Sequence, residues 1–257
     1  MTALHPDFLR LPLAHRGLHD RAAGRIENAP ASFTAAIAAG YGIELDLQLS
    51  SDGQAMVFHD YELDRLTGET GFVSQRNAAE LGQITLTDST DTIPTLPEVL
   101  ASVAGQVPLL IELKDQSRTL GTTGIGPLEQ ATARALADYA GPVAVMSFNP
   151  ASVAAFVHHA PGIPVGLTTG GFDPDYYADT PARRLADLTE ITDFDAVGAQ
   201  FISHYVEELA APAVARLKAR GVPVFCWTVR SADQEATTRQ IADNITFEGY
   251  AAPFPVS

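Results

Sequence analysis

The sequence predicts an α/β fold and, within that class, a (β/α)8 TIM barrel. Three observations support this: short apolar runs alternate with Ala- and Leu-rich segments of helical periodicity, eight such alternations occur, and they fit into 257 residues. Alternating strands and helices are typical of a parallel sheet covered by helices. Eight repeats in about 250 residues match the closed barrel. An open doubly wound sheet has the same local pattern and is the alternative fold.

The predicted elements follow from the periodicity of apolar residues. The strands are expected at 10–15, 42–47, 107–113, 142–147, 163–167, 196–201, 222–228 and 244–247. The helices between them are expected at 30–39, 96–104, 127–140, 150–159, 180–188, 206–220 and 232–242. Several of these helices begin near a Pro, whose missing N–H costs nothing in the first helical turn.

One segment breaks the alternation. Residues 61–95 are rich in Thr, Asp, Ser and Gly and predict little regular structure. We therefore expect a single domain over residues 1–257, with 61–95 as a small insertion within it. Loops that follow barrel strands commonly shape the substrate site.

Composition excludes several classes of function. Lys and Arg number 16 against 31 Asp and Glu, which gives a net charge of -15 and argues against nucleic acid or anionic membranes as partners. A phosphate ligand would need locally placed cations. The single cysteine, Cys226, excludes an internal disulfide and a thiolate metal cluster. Any metal would therefore be held by oxygen or imidazole ligands.

The sequence also bears on location. Its N-terminal segment lacks a basic stretch followed by a long apolar run, and no stretch reaches the roughly 18 apolar residues of a membrane span. We expect a cytoplasmic protein with no stable membrane association. The oligomeric state is left open by the sequence.

The most informative segment is 43–49, where apolar and polar residues alternate strictly. Because strand side chains alternate between faces, Glu44, Asp46 and Gln48 point the same way. Two carboxylates therefore share one face of the second barrel strand.

A hairpin is expected directly after this strand. Asp52-Gly53 is a strong signal for a two-residue turn. With that turn Ser51 pairs with Gln54, paired residue numbers sum to 105, and His59 lies opposite Asp46. The hairpin thus extends strand 2, precedes the insertion and brings an imidazole to the carboxylates.

The next barrel strand carries a second polar pair, Glu112 and Lys114, on one face. Successive parallel strands are neighbours in a barrel, so Glu112 is expected beside Glu44 and Asp46. Three close carboxylates require either raised pKa values or a neutralising cation. Oxygen ligands favour Mg²⁺ or Ca²⁺, with Mn²⁺ as a third candidate.

The first strand ends in His15-Arg16, at the same mouth of the barrel. Its imidazole and that of His59 could exchange protons with a substrate. Arg16 and Lys114 would supply the local cations for a phosphoryl group.

Each of these features also has a purely structural interpretation. A Glu-x-Asp face can be a solvated surface, and Lys114 can be an exposed lysine at the rim of the barrel. Arg16 can pair with Glu27 in an exposed salt bridge that contributes little to stability. The remaining histidines are expected to have no catalytic role; they are His5, His19, His158, His159 and His204. The functional interpretation therefore depends on convergence of the polar pairs at one end of the barrel.

In this ordered set of residues the sequence resembles the glycerophosphodiester phosphodiesterase family. The matching motifs are His15-Arg16-Gly17, Glu27-Asn28, Glu44-Leu45-Asp46, Asp52-Gly53, Val57-Phe58-His59-Asp60, Ile93-Pro94-Thr95-Leu96, Ile111-Glu112-Leu113-Lys114, Ser147-Phe148 and Trp227-Thr228-Val229. The resemblance extends along most of the chain and is concentrated in its first 115 residues.

The resemblance implies a metal-dependent TIM-barrel enzyme that hydrolyses glycerophosphodiesters to sn-glycerol 3-phosphate and an alcohol. The implied metal ligands are Glu44, Asp46 and Glu112, and the implied acid–base pair is His15 and His59. Phosphate would be bound by Arg16 and Lys114, with Glu27 and Asn28 as supporting residues and Phe148 and Trp227 lining the substrate pocket. The resemblance leaves open which histidine is the acid, and whether water or a neighbouring substrate hydroxyl attacks phosphorus.

The sequence departs from the family pattern in three places. The 61–95 insertion is short and lacks an aromatic-rich segment before Ile93. The usual Trp-Thr-Val-Asn ends here in Arg230, and the last strand runs into Glu248-Gly249 where members often have Thr-Asp and a nearby Pro.

Two other functions are kept as alternatives. The first is a lipid phosphodiesterase of the lysophospholipase D or sphingomyelinase D type, which would share the metal and the histidine pair. The second is a barrel that binds phosphodiesters without turning them over.

Overall fold

The computed structural model describes residues 3–254. Eight parallel strands form a closed barrel in which β1 pairs with both β2 and β9. The strands are β1 Leu13–Ala14, β2 Gly42–Leu49, β3 Ala55–Val57, β4 Leu109–Leu113, β5 Val143–Ser147, β6 Val165–Thr169, β7 Phe201–Tyr205, β8 Val224–Val229 and β9 Asn244–Phe247. Among the strands of residues 3–254, only β3, which is antiparallel to β2, lies outside the barrel. The predicted TIM barrel is confirmed, and closure excludes the open sheet.

Helices surround the barrel. They are α1 Asp7–Arg10, α2 Pro30–Ala39, α3 Ala78–Leu81, α4 Leu96–Val103, α5 Pro127–Leu136, α6 Pro150–His159, α7 Ala182–Thr189, α8 Pro212–Ala219 and α9 Ala232–Thr238. Short 3₁₀ turns lie at Arg21–Ala23, Val73–Gln75 and Val206–Glu208. Among the described residues there is no helix long and apolar enough to cross a membrane.

Apolar side chains form separate layers inside and outside the strands. The barrel interior is filled from below by Phe8, Leu13, Leu110, Ala144, Met146, Phe201 and Phe225. A larger cluster packs the strands against the helices. This interior packing closes the lower end of the barrel, so a pocket can open only above it, at the C-terminal ends of the strands.

Residues 61–95 lie between β3 and α4 and contain one 3₁₀ turn and the short α3. Their apolar side chains pack against Met56 and Phe58 of the hairpin in a cluster separate from the barrel core. This cluster comprises Ile26, Ala29, Met56, Phe58, Leu63, Leu66, Val73, Leu81, Leu86 and Ile93. The segment is thereby held next to the C-terminal mouth of the barrel.

The hairpin register differs from the prediction by one residue. Leu47 pairs with Val57 and Leu49 with Ala55, so the numbers sum to 104, not 105. The turn has three loop residues instead of two: the Ser50 N–H donates to the Gln54 carbonyl, and Gly53 adopts φ +77°. Asp52 itself accepts hydrogen bonds from the Ser50 hydroxyl and the Ala78 N–H, which stabilise the longer loop.

Because of this register His59 does not lie opposite Asp46, and that prediction is wrong. Phe58 takes the position, and its N–H donates to the Asp46 carbonyl at 3.0 Å. The strand pairing ends at Val57, so His59 leaves the ladder and is free to turn toward the barrel mouth. Its carbonyl accepts a hydrogen bond from Gln48 Nε2 at 3.0 Å.

Several element boundaries also differ. β7 runs over Phe201–Tyr205 and not 196–201, because the preceding residues form a turn in which Gly198 has φ +71° and the Ala199 N–H donates to the Phe194 carbonyl. The first strand is reduced to Leu13–Ala14 because α1 and the bend after it take up the preceding residues.

Candidate active site

Three buried carboxylates meet at the C-terminal ends of β2 and β4. Asp46 and Glu112 are paired in the parallel register, and Glu44 lies on the same face of β2. Each residue is at most 5% exposed. One oxygen from each carboxylate can be chosen so that all three lie within 4.8 Å of one another.

Two cations contact this carboxylate cluster. Lys114 Nζ lies 2.8 Å from Asp46 Oδ1 and 2.5 Å from Glu112 Oε1. The Arg16 backbone N–H donates to Glu44 Oε2, and its Nε lies 3.4 Å from Asp46 Oδ2. With all three carboxyls ionised, the two cations would leave one negative charge uncompensated.

The pKa values of the cluster show how this charge is distributed. Burial and the neighbouring Asp46 and Glu112 carboxylates raise the pKa of Glu44 well above its ordinary value. Burial acts against ionisation of Asp46 too, but Lys114, His59 and Arg16 together lower the pKa of that carboxyl. Burial would likewise lower the pKa of Lys114, yet the two carboxylates that it contacts raise it.

Asn28 fixes the orientation of Asp46. Its Nδ2 donates to Asp46 Oδ2 at 2.8 Å, and its Oδ1 accepts from the Asp46 backbone N–H at 3.2 Å. Asn28 adopts φ +56°, a left-handed conformation that Asn tolerates better than most residues. The side chain therefore lies behind the carboxylate cluster, as a supporting residue.

His15 stands beside the cluster at the end of β1. Its Nδ1 lies 2.6 Å from Glu248 Oε2, at the end of β9. Burial lowers the pKa of His15, and the hydrogen bond to Glu248 opposes that shift. Because a carboxylate can only accept, Nδ1 donates and Nε2 of the neutral ring carries the lone pair.

His59 is held in the same way by the residue next to it. Its Nδ1 lies 2.6 Å from Asp60 Oδ1, and Arg65 Nε donates to the other Asp60 oxygen at 2.6 Å. Arg65 also donates two hydrogen bonds to the Glu27 carboxylate, at 2.7 and 2.8 Å. Within residues 3–254, neither Nε2 of His59 nor that of His15 has a hydrogen-bond partner.

Glu27 links this network to the phosphate-binding candidates. Its Oε1 accepts from Arg16 at 2.6 Å, and burial of the carboxyl is outweighed by Arg65 and Arg16, which lower the pKa of Glu27 to about 2. The salt bridge between Arg16 and Glu27 that the sequence suggested is therefore present. It lies within the site and holds the Arg16 side chain in position.

The pocket above these residues has a volume of about 960 Å³. One side of its wall is aromatic. The centroids of the Phe148 and Trp227 rings lie 5.3 Å apart in an edge-to-face arrangement, and those of Phe148 and Phe172 lie 6.2 Å apart. Trp227 Nε1 donates to the Ser203 carbonyl at 3.0 Å, which fixes the indole. Tyr177 and Tyr205 complete this side of the pocket.

Nine of the eleven residues singled out from the sequence line one pocket. They are His15, Arg16, Glu44, Asp46, His59, Glu112, Lys114, Phe148 and Trp227. The other two, Glu27 and Asn28, lie behind Arg16 and Asp46. The sequence analysis assigned no role to the side chains of Asp60, which lies in the Val57-Phe58-His59-Asp60 motif, and Arg65, which lies five residues after it. It also assigned no role to Glu248, which was noted only as a departure from the family pattern after the last strand.

The fold and the pocket define a (β/α)8-barrel protein with a charged site at the C-terminal ends of its strands. A sequence model of the glycerophosphoryl diester phosphodiesterase family matches residues 15–244. A glycerophosphodiester phosphodiesterase from Caldanaerobacter subterraneus subsp. tengcongensis is 30% identical over 247 residues, which cover 91% of this chain and 92% of that protein. One from Bacillus altitudinis is 32% identical over 182 residues, covering 66% and 72%.

Solved structures share the fold. A phosphodiesterase from Oleispira antarctica, determined in complex with the product sn-glycerol-3-phosphate, superposes with a TM-score of 0.77 at 22% identity, covering 94% of this chain and 93% of that one. The chain belongs to the glycerophosphoryl diester phosphodiesterase family, a family of enzymes.

Proposed function

We propose that this protein hydrolyses glycerophosphodiesters to sn-glycerol 3-phosphate and an alcohol, using a divalent cation and the two histidines. The observation that carries the proposal is the convergence of three carboxylates, two imidazoles and two cationic side chains in one pocket. Family membership supports the reaction class, and the product bound to the Oleispira antarctica phosphodiesterase supports the substrate class.

The donor set fits a hard divalent cation held by Glu44, Asp46 and Glu112. Oxygens that share one ion at 2.0–2.6 Å are separated by at most about 5 Å. One oxygen of each of these three carboxylates can be chosen so that all lie within 4.8 Å of one another. A divalent cation would also offset the repulsion from Asp46 and Glu112 that helps to raise the pKa of Glu44. We propose Mg²⁺ or Ca²⁺, with Mn²⁺ as a third candidate.

When bound, such an ion supplies a Lewis acid that polarises a phosphoryl oxygen. Arg16 and Lys114 bind the remaining phosphoryl oxygens and stabilise the charge that develops on them. Arg16 Nε supports this role, because it is a buried donor without a hydrogen-bond partner among the described residues. An oxygen of the substrate would satisfy it.

The two histidines move the protons. One imidazole removes the proton of the attacking hydroxyl or water as the new P–O bond forms, and the other donates a proton to the alkoxide oxygen as the old P–O bond breaks. Carboxylates hold Nδ1 of both rings, so Nε2 is the atom that exchanges the proton in each case.

The test is release of sn-glycerol 3-phosphate from glycerophosphocholine, with and without a chelator. We expect activity in the wild type, loss on chelation, recovery on adding Mg²⁺ or Ca²⁺, and a severe loss in His59→Ala. The control is His158→Ala, because His158 is exposed on α6 and remote from the pocket. Activity that survives complete chelation would contradict the metal assignment.

A parallel assay with lysophosphatidylcholine separates the lipid-directed alternative. We expect glycerophosphocholine to be the better substrate. Preferential release of choline from the lysolipid would instead favour the lysophospholipase D type, and binding of glycerophosphocholine without any turnover would favour the binding barrel.

A further inference from the structure

We infer that Glu248, held in place by Arg230, is the positioning residue of His15: it fixes the ring with Nδ1 protonated and Nε2 available to the substrate. The inference rests on the proposed function, since it assigns Glu248 a role through a histidine that acts there. Nothing in the family motifs noted above points to this residue.

The contacts leave the Glu248 carboxylate little freedom. Oε2 lies 2.6 Å from His15 Nδ1, and Oε1 accepts from Arg230 Nε at 2.8 Å. Both oxygens are therefore engaged on opposite sides. The side chains of His15 and Glu248 are only 12% and 20% exposed, so water competes weakly for their hydrogen bond.

The backbone places these partners as well. The His15 N–H donates to the Phe247 carbonyl at 2.9 Å, across the pairing of β1 with β9 that closes the barrel. The Glu248 N–H donates to the Val229 carbonyl at 3.0 Å, next to Arg230. Glu248, His15 and Arg230 therefore follow directly after three adjacent strands, and their spacing is set by the barrel rather than by a flexible loop.

Other charged groups face His15, but none can replace Glu248. Arg16 opposes protonation of the ring, and Asp46 favours it less strongly than Glu248 does. His19 Nε2 lies 3.5 Å from Glu248 Oε2, too far for a strong hydrogen bond, and is more exposed than His15. A carboxylate bound to Nδ1 both selects the tautomer and stabilises the imidazolium that forms during turnover.

Two departures from the family pattern are thereby explained together. Arg230 replaces the usual Asn after Trp-Thr-Val, and Glu248 lies where members often have another sequence. In this structure the two residues form one ion pair at the rim. They act as a unit, and replacing one alone leaves the other without its partner.

The experiment compares Glu248→Gln and Glu248→Ala with the wild type. Glutamine keeps the shape and can still accept from Nδ1, but it carries no charge. We expect kcat for glycerophosphocholine to fall by about 10- to 100-fold, with Ala the more damaging, and the pH limb that reports His15 to move to lower pH. The KM should change much less than kcat. Arg230→Gln should give a smaller loss, and Arg230→Lys should restore part of it.

Two controls keep the result interpretable. Asp195→Asn removes another arginine-paired carboxylate, on the exposed surface, and should leave kcat and its pH profile unchanged. ¹⁵N chemical shifts of the histidine rings report the tautomer without any turnover: His15 should be protonated at Nδ1 in the wild type, and this preference should be lost in Glu248→Ala.

Folded Glu248→Gln and Glu248→Ala proteins with the wild-type pH profile, kcat and ring tautomer would overturn the inference. The NMR result also separates the two proposals. An enzyme that shows the predicted tautomer but no release of sn-glycerol 3-phosphate would contradict the proposed function and leave the positioning contact confirmed.

Discussion

Two histidines face the same pocket, and each is joined to a carboxylate and an arginine, but the two arrays are built differently. The His59 array comes from a single stretch between positions 59 and 65, with Asp60 and Arg65 as its other members. In the His15 array the histidine and Glu248 are 233 residues apart and meet only because β1 pairs with β9.

The arrays also differ in what lies behind them. Arg65 binds both Asp60 and Glu27, and Glu27 in turn binds Arg16. The His59 array thus continues to Arg16, one of the two candidate phosphate-binding residues. The His15 array instead ends in the ion pair between Glu248 and Arg230, and the Arg230 side chain is 61% exposed. Under the proposed function, the His59 array would couple proton transfer to phosphate binding, whereas the His15 array would orient a single imidazole.

The largest expected effect is loss of either imidazole. His15→Ala and His59→Ala should each lower kcat by about 10²- to 10⁴-fold, because each removes one general acid or base. Steady-state kinetics on glycerophosphocholine with folded proteins would measure this. If one variant keeps nearly the full rate, the two arrays do not both take part in catalysis.

The next effect is on stability and pH, through Glu27. Its folded pKa of about 2 lies below the ordinary 4.5, so its ionisation stabilises the fold above about pH 4.5, and this contribution is lost as the pH falls toward 2. Glu27→Gln should therefore lower the free energy of unfolding at pH 7 by on the order of 2–3 kcal/mol. Urea titrations between pH 7 and pH 3 would show the gap to wild type narrowing with acid; a constant gap would contradict the assignment.

Replacement of the two carboxylate partners should distinguish the arrays. Asp60→Asn should lower kcat by about 10- to 100-fold and also raise KM, because Arg65 and hence Glu27 and Arg16 lose an anchor. Glu248→Gln should change kcat with little effect on KM. Equal changes in KM for Asp60→Asn and Glu248→Gln would contradict the proposed difference between the two arrays.

The smallest effect concerns the two arginines. Arg65 binds two carboxylates, one of them through two hydrogen bonds, whereas Arg230 pairs with one carboxylate at the rim. Arg65→Ala should destabilise the fold by roughly 1 kcal/mol more than Arg230→Ala, which should cost at most about 1 kcal/mol. Chemical denaturation of both variants would test the order.

What the sequence could predict follows the same division between local and distant contacts. Alternation along 43–49 placed Glu44 and Asp46 on one face, and the parallel register of neighbouring strands brought Glu112 to them. Both inferences need only the period of a strand and the order of a barrel. The members of the His59 array all lie between positions 59 and 65, so they could have been found from the local sequence.

Long-range geometry could not be predicted in this way. Glu248 reaches His15 only through barrel closure, and no spacing reports that contact. The hairpin register failed for a related reason: Asp52 is bound by the Ala78 N–H of the insertion, and this tertiary contact favours the longer loop over the two-residue turn that Asp-Gly usually forms.

The most direct test of acid–base catalysis by the two histidines uses a substrate whose leaving group needs no proton. Rates of His15→Ala and His59→Ala should be compared on glycerophosphocholine and on the p-nitrophenyl ester of glycerol 3-phosphate. We expect the activated ester to restore most of the rate in one variant, the one that lacks the acid, and to leave the other impaired. Equal impairment of both variants on both substrates would contradict a division of acid and base between the two rings.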